Sequence, residues 1–208
     1  MLSENILHFL VIGSLLGLSA GISPGPLLTL VITQTIKHDK TEGIKIAISP
    51  LITDLPILLI TLFIFSKLSQ FDTILAVISF VGGIFVAYLG FESIKSRGLN
   101  IDISDSKSRS LKKGIIANFL NPHPYLFWST VGMPYAFKAF DISPLMAVLF
   151  FSSFYVFLIG SKVTIAIIVA RTKVFIGQRA YIFIMRALGI VLFTFSIIFF
   201  YDGIKYLK

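Results

Sequence analysis

LSAGISPGPLLTL, residues 18–30, places two prolines and two glycines inside the first long apolar run of the chain. That run covers residues 6–36 and exceeds the roughly 20 residues that one membrane-spanning helix needs. Proline removes a backbone hydrogen-bond donor and costs about 3 kcal/mol in a helix interior. The stretch therefore predicts a membrane helix that is interrupted near residues 21–26.

The composition indicates an integral membrane protein with one domain covering residues 1–208. Hydrophobic residues make up 56% of the 208 residues, charged residues only 13%, and the mean hydropathy is +0.91. Lipid leaves open strand edges without partners, so we predict an all-α fold. Six apolar segments predict six transmembrane helices, over about 6–36, 43–68, 73–94, 111–137, 143–170 and 181–207.

Lysine and arginine are concentrated in the first, third and fifth loops between these segments. The positive-inside rule then predicts cytoplasmic odd-numbered loops and both termini outside. The net charge of +8 is explained by this basic collar, so we predict membrane lipid and no nucleic acid as a partner. The N-terminal residues include Glu4 and no basic residue, which favours a first transmembrane segment over a cleaved signal peptide.

Two Pro-x-Pro elements suggest an internal repeat. SPGP at 23–26 lies in the first segment, and NPHP at 121–124 lies in the fourth. Because each half would cross the membrane three times, the second half must enter from the opposite side, as in inverted-repeat transporters. We predict repeat one over about 1–95, a cytoplasmic linker over about 96–110 and repeat two over about 111–208, with helices 1 and 4 broken by Pro-x-Pro.

The central charged residues are the main candidates for a site. Asp54 lies in the middle of ISPLITDLPILL, residues 48–59, where an acid costs about 2.5–3.5 kcal/mol at the bilayer centre. Lys162 lies in the fifth segment at a similar predicted depth, and each charge would stabilise the other across one cavity. Two alternatives remain open: the two residues form a purely structural ion pair, or the Lys162 side chain extends to the membrane interface. Ser23 and Asn121 are placed to cap the half-helices.

The sequence lacks the residues that several classes of chemistry require. There is no cysteine, and three scattered histidines have no metal-ligand spacing, so we predict no cofactor and no metal site. The chain has one central acid, whereas intramembrane hydrolases use paired acids or metal ligands, so we predict that it is not an enzyme.

Glu92 and Lys95 are spaced for a local ion pair. Glycine spacings such as Gly13 to Gly17 allow close helix contacts, within the chain or in a homo-oligomer.

The ordered motifs resemble the lysine-exporter (LysE/RhtB) family of amino-acid exporters across the whole chain. The family pattern has the Pro-Gly-Pro motif in helix 1, an acid in helix 2 and Asn-Pro opening the helix 4 motif. Where the family often has asparagine after Pro-Gly-Pro this chain has Leu27, and where it often has lysine after Asn-Pro this chain has His123. These departures place the chain in a divergent branch, with a cargo other than lysine or homoserine.

The resemblance implies a secondary transporter in a prokaryotic cytoplasmic membrane. It would export amino acids or similar small polar metabolites, driven by protons or the membrane potential. Alternatives are efflux of a heavy-metal cation and channel-type permeation through an oligomer. The predicted substrate-binding and translocation residues are Ser23, Pro24, Gly25, Pro26, Asp54, Asn121, Pro122, His123 and Lys162.

Overall fold

The structure is a computed structural model that describes residues 2–65, 71–95, 109–175 and 177–207. Every regular element in these ranges is helical. The predicted end of the second segment beyond residue 65 lies outside the described residues. So does the predicted linker, except for Arg109 and Ser110. The first half contains α1 (Leu2–Ile22), α2 (Pro26–Lys37), α3 (Lys40–Ala47), α4 (Pro50–Phe65) and α5 (Phe71–Ile94).

The second half begins with a segment divided into short pieces and ends with two long helices. Its elements are α6 (Ser110–Phe119), α7 (Pro122–Phe127), a π-helical turn (Trp128–Gly132), α8 (Met133–Ile142), α9 (Pro144–Thr172), a 3-10 turn (Lys173–Phe175) and α10 (Gln178–Tyr206).

Five helical stretches among the described residues are long and apolar enough to cross a membrane. The fourth predicted segment is not one of them, because α6 has only 10 residues and the helical stretch that follows it, 122–142, is less apolar, with three prolines and the polar residues His123, Lys138 and Asp141. The five stretches are Glu4–Ile22, Lys40–Leu62, Asp72–Ile94, Pro144–Thr172 and Gln178–Tyr206.

The helix α1 packs along α9 through a stripe of glycines. Gly13, Gly17 and Gly21 recur every fourth residue and so lie on one face of α1. A Cβ atom at Gly17 would lie 2.2 Å from the backbone oxygen of Phe154, so the two helices meet at backbone distance. The glycine spacing therefore serves a contact within the chain, as small residues do between membrane helices.

Replacing Gly17 should separate these helices. We expect Gly17→Leu to lower stability by about 3 kcal/mol, because overpacking costs up to that amount or more. For a chain of this size that is a fall of roughly 10 °C in Tm, measurable in detergent. Gly160→Leu on α9 is the matched control, since nothing lies within 4 Å of a Cβ atom there. Equal melting temperatures for the two variants would contradict the packing.

The helices α5 and α10 form a second close pair. A Cβ atom at Gly189 would lie 2.8 Å from the backbone oxygen of Gly90, and the hydroxyl of Ser196 donates to the backbone oxygen of Gly83 at 2.8 Å. The pair thus uses the same close approach as α1 and α9. Gly83 and Gly90 are explained by this contact within the chain, whereas a Cβ atom at Gly82 would meet the backbone oxygen of Leu120, just after α6.

Ends of four helices from both halves of the chain meet on one face, which we call the odd-loop face. The Glu92 carboxylate at the end of α5 accepts from Lys37 of α2 at 2.8 Å and from Lys113 of α6 at 2.7 Å. Lys173, just after α9, donates to the backbone oxygen of Thr35 at 3.1 Å. The described helix ends that flank the first, third and fifth predicted loops therefore lie together.

The expected local pair between Glu92 and Lys95 does not form. The Lys95 ammonium instead lies 5.6 Å from the ring centroid of Phe91. Glu92 pairs with lysines of two other helices, because packing brings those lysines close and offers two partners instead of one.

Candidate functional site

The first segment is interrupted between Ile22 and Pro26. Pro24 lies in the gap, and Pro26 is the first residue of α2, where a missing N–H costs no helical hydrogen bond. The N-cap of α2 is Gly25, with no side chain capping it. The Ser23 side chain does not have the capping role expected for it, and the first amide groups of α2 are left available.

The second interruption lies just before NPHP. Helix α6 ends at Phe119 and α7 begins at Pro122, so both prolines of the motif belong to the first turn of α7. As expected, the Asn121 side chain caps α7, accepting from the His123 N–H at 3.0 Å. The Tyr125 hydroxyl donates to the freed backbone oxygen of Phe119 at 2.9 Å. The break is therefore satisfied within the protein, as hydrocarbon requires.

A third interruption, which the sequence did not lead us to expect, lies in the second segment. The chain turns at Ile48 and Ser49 between α3 and α4, and Pro50 is the first residue of α4. Pro56 remains inside a continuous helix. As a result, Asp54 lies one turn after a helix start rather than in the middle of a long helix.

A cavity of about 480 Å³ lies where the interrupted segments meet. It is bordered by the end of α1, the start of α2, the start of α4, the region around the second break and the middle of α9. Pro122 is buried and does not line it. The other predicted site residues all line it, namely Ser23, Pro24, Gly25, Pro26, Asp54, Asn121, His123 and Lys162.

Asp54 is the buried acid of this cavity, with 5% of its surface exposed. Its two carboxylate oxygens accept from the Asn118 amide of α6 at 3.1 Å and from the Tyr155 hydroxyl of α9 at 3.2 Å. Asn118 also donates to the Thr53 hydroxyl at 2.6 Å. The acid is thus held by side chains from two other helices.

Sequence reasoning missed both partners of Asp54. Asn118 had a usable signal, because it is a lone amide in an apolar run and lies one helical turn before Asn121. Tyr155 had none, since it is one of several aromatic residues along α9.

Lys162 reaches the same cavity and is only 3% exposed, so it does not extend to the membrane interface. Its ammonium donates to the backbone oxygens of Gly21 at 2.8 Å and Ala20 at 3.1 Å. These carbonyls belong to the last turn of α1, where the helix dipole is negative. Among the described residues, Asp54 and Lys162 do not form an ion pair, whereas Glu42 and Glu92 do pair with lysines. Asp54 and Lys162 therefore share the cavity without direct contact.

The cavity is closed toward the odd-loop face. Along α2, Leu27 lines the cavity, Leu30 and Val31 belong to a buried apolar cluster, and Lys37 binds Glu92. On helices α6 and α9 as well, a residue of that apolar cluster lies between the cavity and the odd-loop face, namely Ala117 and Ala166. Elsewhere the cavity has exposed lining residues, namely Ser23, Pro24, His123 and Thr130.

Metal ligands are scarce at this site. Within the described ranges, no group of three or more histidine, cysteine, aspartate or glutamate side chains is placed to hold a metal ion. The cavity combines one acid, one lysine, amide side chains and half-helix ends, a set suited to a small polar organic molecule.

The family model for LysE type translocators matches residues 18–203. The chain belongs to this family. The match begins just before the first break and ends near the close of α10, so it includes the cavity-lining residues except Leu16 of α1. No curated protein and no solved structure shows a significant match to the chain.

Membership makes this LysE family chain a multi-pass membrane protein of a transporter family, whose members move amino acids or related compounds across membranes.

Proposed function

We propose that the chain is a secondary transporter that exports amino acids or similar small polar metabolites across a prokaryotic cytoplasmic membrane. The observation that carries the proposal is the 480 Å³ cavity, which brings Asp54, Lys162 and two interrupted helical segments together. Its volume lies within the range of about 300–1,000 Å³ that small-molecule sites occupy.

The two ends of an amino acid have complementary partners at this cavity. The Asp54 carboxylate is suited to the α-ammonium group, because it is buried and negatively charged. The start of α2, at Leu27 and Leu28, lines the cavity and is not capped by a side chain, so its amide groups are suited to the α-carboxylate. Ser23, Asn121 and His123 would add polar contacts along the path, and Gly25 leaves the approach to α2 open.

Alternating access is proposed to act around this cavity in a single domain. Three crossings in residues 1–95 and three in 111–208 would form two inverted repeats, with the Pro-x-Pro elements at their first helices. The fourth segment would complete the six crossings as a chain of short helices, tolerated because its freed backbone groups are satisfied inside the protein. Rocking of the repeats would open the cavity to each side in turn.

The odd-loop face is proposed to be cytoplasmic, with both termini outside, because it holds most of the basic residues. In that orientation the structure is closed toward the cytoplasm. Export against a gradient requires an energy source, and an acid in the cavity allows coupling to protons, while a net charge movement would couple transport to the membrane potential. Assembly as a homo-oligomer is compatible with this proposal and is not required by it.

Flux through purified protein tests the proposal. Proteoliposomes are loaded with radiolabelled leucine, alanine or lysine, and a pH gradient or a potassium diffusion potential is imposed separately. We expect efflux that saturates with internal concentration and is accelerated by at least one gradient. Efflux that rises linearly with concentration would indicate a channel, release of encapsulated Cd²⁺ would indicate a cation exporter, and absence of amino-acid movement would overturn the proposal.

A further inference from the structure

The Lys162 ammonium occupies the place where a substrate cation would be expected to bind. A helix that ends inside a membrane protein presents free carbonyl oxygens, and such ends coordinate cations in transporters. In this chain two carbonyls of the last turn of α1, those of Ala20, which lines the cavity, and Gly21 beside it, already accept from Lys162. The buried lysine is therefore a cation that the protein itself supplies.

The same lysine sets the charge of the cavity. Among the described lining residues, Asp54 and Lys162 carry the fixed charges, one of each sign, and His123 is the other titratable group. His123 is exposed, so its charge is solvated. Tyr155 also faces Asp54 as a hydrogen-bond donor. The buried charges of the empty cavity therefore sum to zero.

We propose that Lys162 is a specificity-determining residue that restricts the site to net-neutral, zwitterionic monoamino acids and excludes dibasic ones such as lysine and arginine. This inference rests on the proposed function. A zwitterion brings no net charge into the cavity. A dibasic substrate brings a second cation, whose natural position at the carbonyl end of α1 is already filled, and an unpaired charge is costly to bury. Specificity then comes from a repulsive element as well as attractive ones.

The charge at position 162 can be removed with little change in shape. Methionine is unbranched and similar in length to lysine, so Lys162→Met leaves the cavity with the charge of Asp54 alone and the carbonyls of α1 free. We expect wild-type protein to transport leucine at least 100-fold faster than lysine at equal concentration. Lys162→Met should shift that ratio at least 100-fold toward lysine, whereas Lys162→Arg, which keeps the cation, should leave the preference for leucine in place.

A thermal shift gives a second readout that does not depend on flux. A ligand that binds only the folded state raises Tm by an amount that grows with the logarithm of its concentration relative to Kd, so lysine should raise the Tm of Lys162→Met and not that of wild type. If Lys162→Met does not fold, Lys162→Gln replaces it, because its amide still donates to the carbonyls without a charge. An unchanged leucine-to-lysine ratio in a folded neutral variant, or a wild type that accepts lysine as readily as leucine, would overturn the inference. A wild type that neither binds nor moves any amino acid would instead overturn the proposed function.

Discussion

Asp54→Asn is expected to reduce the initial rate of amino-acid efflux from proteoliposomes by roughly 30-fold or more. The substitution keeps the shape of the side chain and removes the one buried negative charge of the cavity. Truncating a buried, hydrogen-bonded charge partner costs about 2–5 kcal/mol, and each 1.4 kcal/mol is a factor of about 10 in binding. Loss of the ammonium partner alone therefore accounts for the expected decrease.

Folding of the Asp54→Asn variant should be preserved. Asparagine can still accept from the Tyr155 hydroxyl through its carbonyl oxygen, and removal of the buried carboxylate relieves its desolvation cost, whereas the Asn118 amide loses a charged acceptor and Lys162 keeps a buried charge without a counter-charge. Its Tm in detergent should therefore fall by about 10 °C at most. Asp72→Asn at the exposed start of α5 is the control, and its efflux should be unchanged. Normal gradient-driven efflux by folded Asp54→Asn would remove Asp54 from the mechanism.

Glu92→Gln is expected to open the cavity toward the odd-loop face. The carboxylate joins Lys37 of α2 to Lys113 of α6 and is only partly exposed, so its charge is shielded incompletely by solvent. Weakening two charge-assisted hydrogen bonds by about 1–2 kcal/mol in total shifts a two-state equilibrium roughly 5- to 30-fold. The fraction of molecules whose cavity is open toward the odd-loop face should rise by this factor.

The absence of native cysteine makes this shift directly measurable. A single cysteine introduced at Leu27, where the cavity meets the apolar cluster, is the only thiol in the protein. A membrane-impermeant maleimide added from the odd-loop side should label it roughly 5- to 30-fold faster in Glu92→Gln than in wild type. Asp141→Asn, an exposed carboxylate on the opposite face, is the control. Equal labelling rates would show that the Glu92 pairs do not hold the face closed.

A second cysteine position identifies the side of the membrane. Lys40 is exposed at the start of α3 on the odd-loop face. In intact cells, a cysteine there should react only after the membrane is permeabilised if that face is cytoplasmic.

The place of the first helix break could be predicted from the sequence because proline acts through its immediate neighbours. Its ring and its missing donor affect only the adjoining turn, so SPGP marked the gap after Ile22 without knowledge of any other helix. The same reasoning placed the second break at NPHP, whereas the break lies just before that motif. Its position depends on side-chain contacts, such as the hydrogen bond from the Tyr125 hydroxyl to the backbone oxygen of Phe119. The same reasoning also gave no warning that Pro50 would begin a new helix while Pro56 would not.

The partners of the charged residues could not be predicted in the same way. Asp54 is bound by Asn118 and Tyr155, which lie 64 and 101 positions away, and Lys162 by Gly21, which lies 141 positions away. Glu92 had a suitable lysine one turn away and binds two distant ones instead. Sequence spacing gives the face of one helix, whereas these choices depend on how other helices are rotated and placed against it.

The sequence by itself determined that the chain is an all-helical membrane protein of the LysE type, interrupted by proline, with Asp54 and Lys162 as its central charges. These properties depend on composition and on short-range backbone chemistry. Only the tertiary structure decided that both charges border one cavity without pairing, that Lys162 donates to carbonyls of the last turn of α1, and that Glu92 joins α5 to α2 and α6 at the odd-loop face. The physical reason is that a buried charge takes whichever partner close packing brings within hydrogen-bonding distance, and that packing is a property of all the helices together.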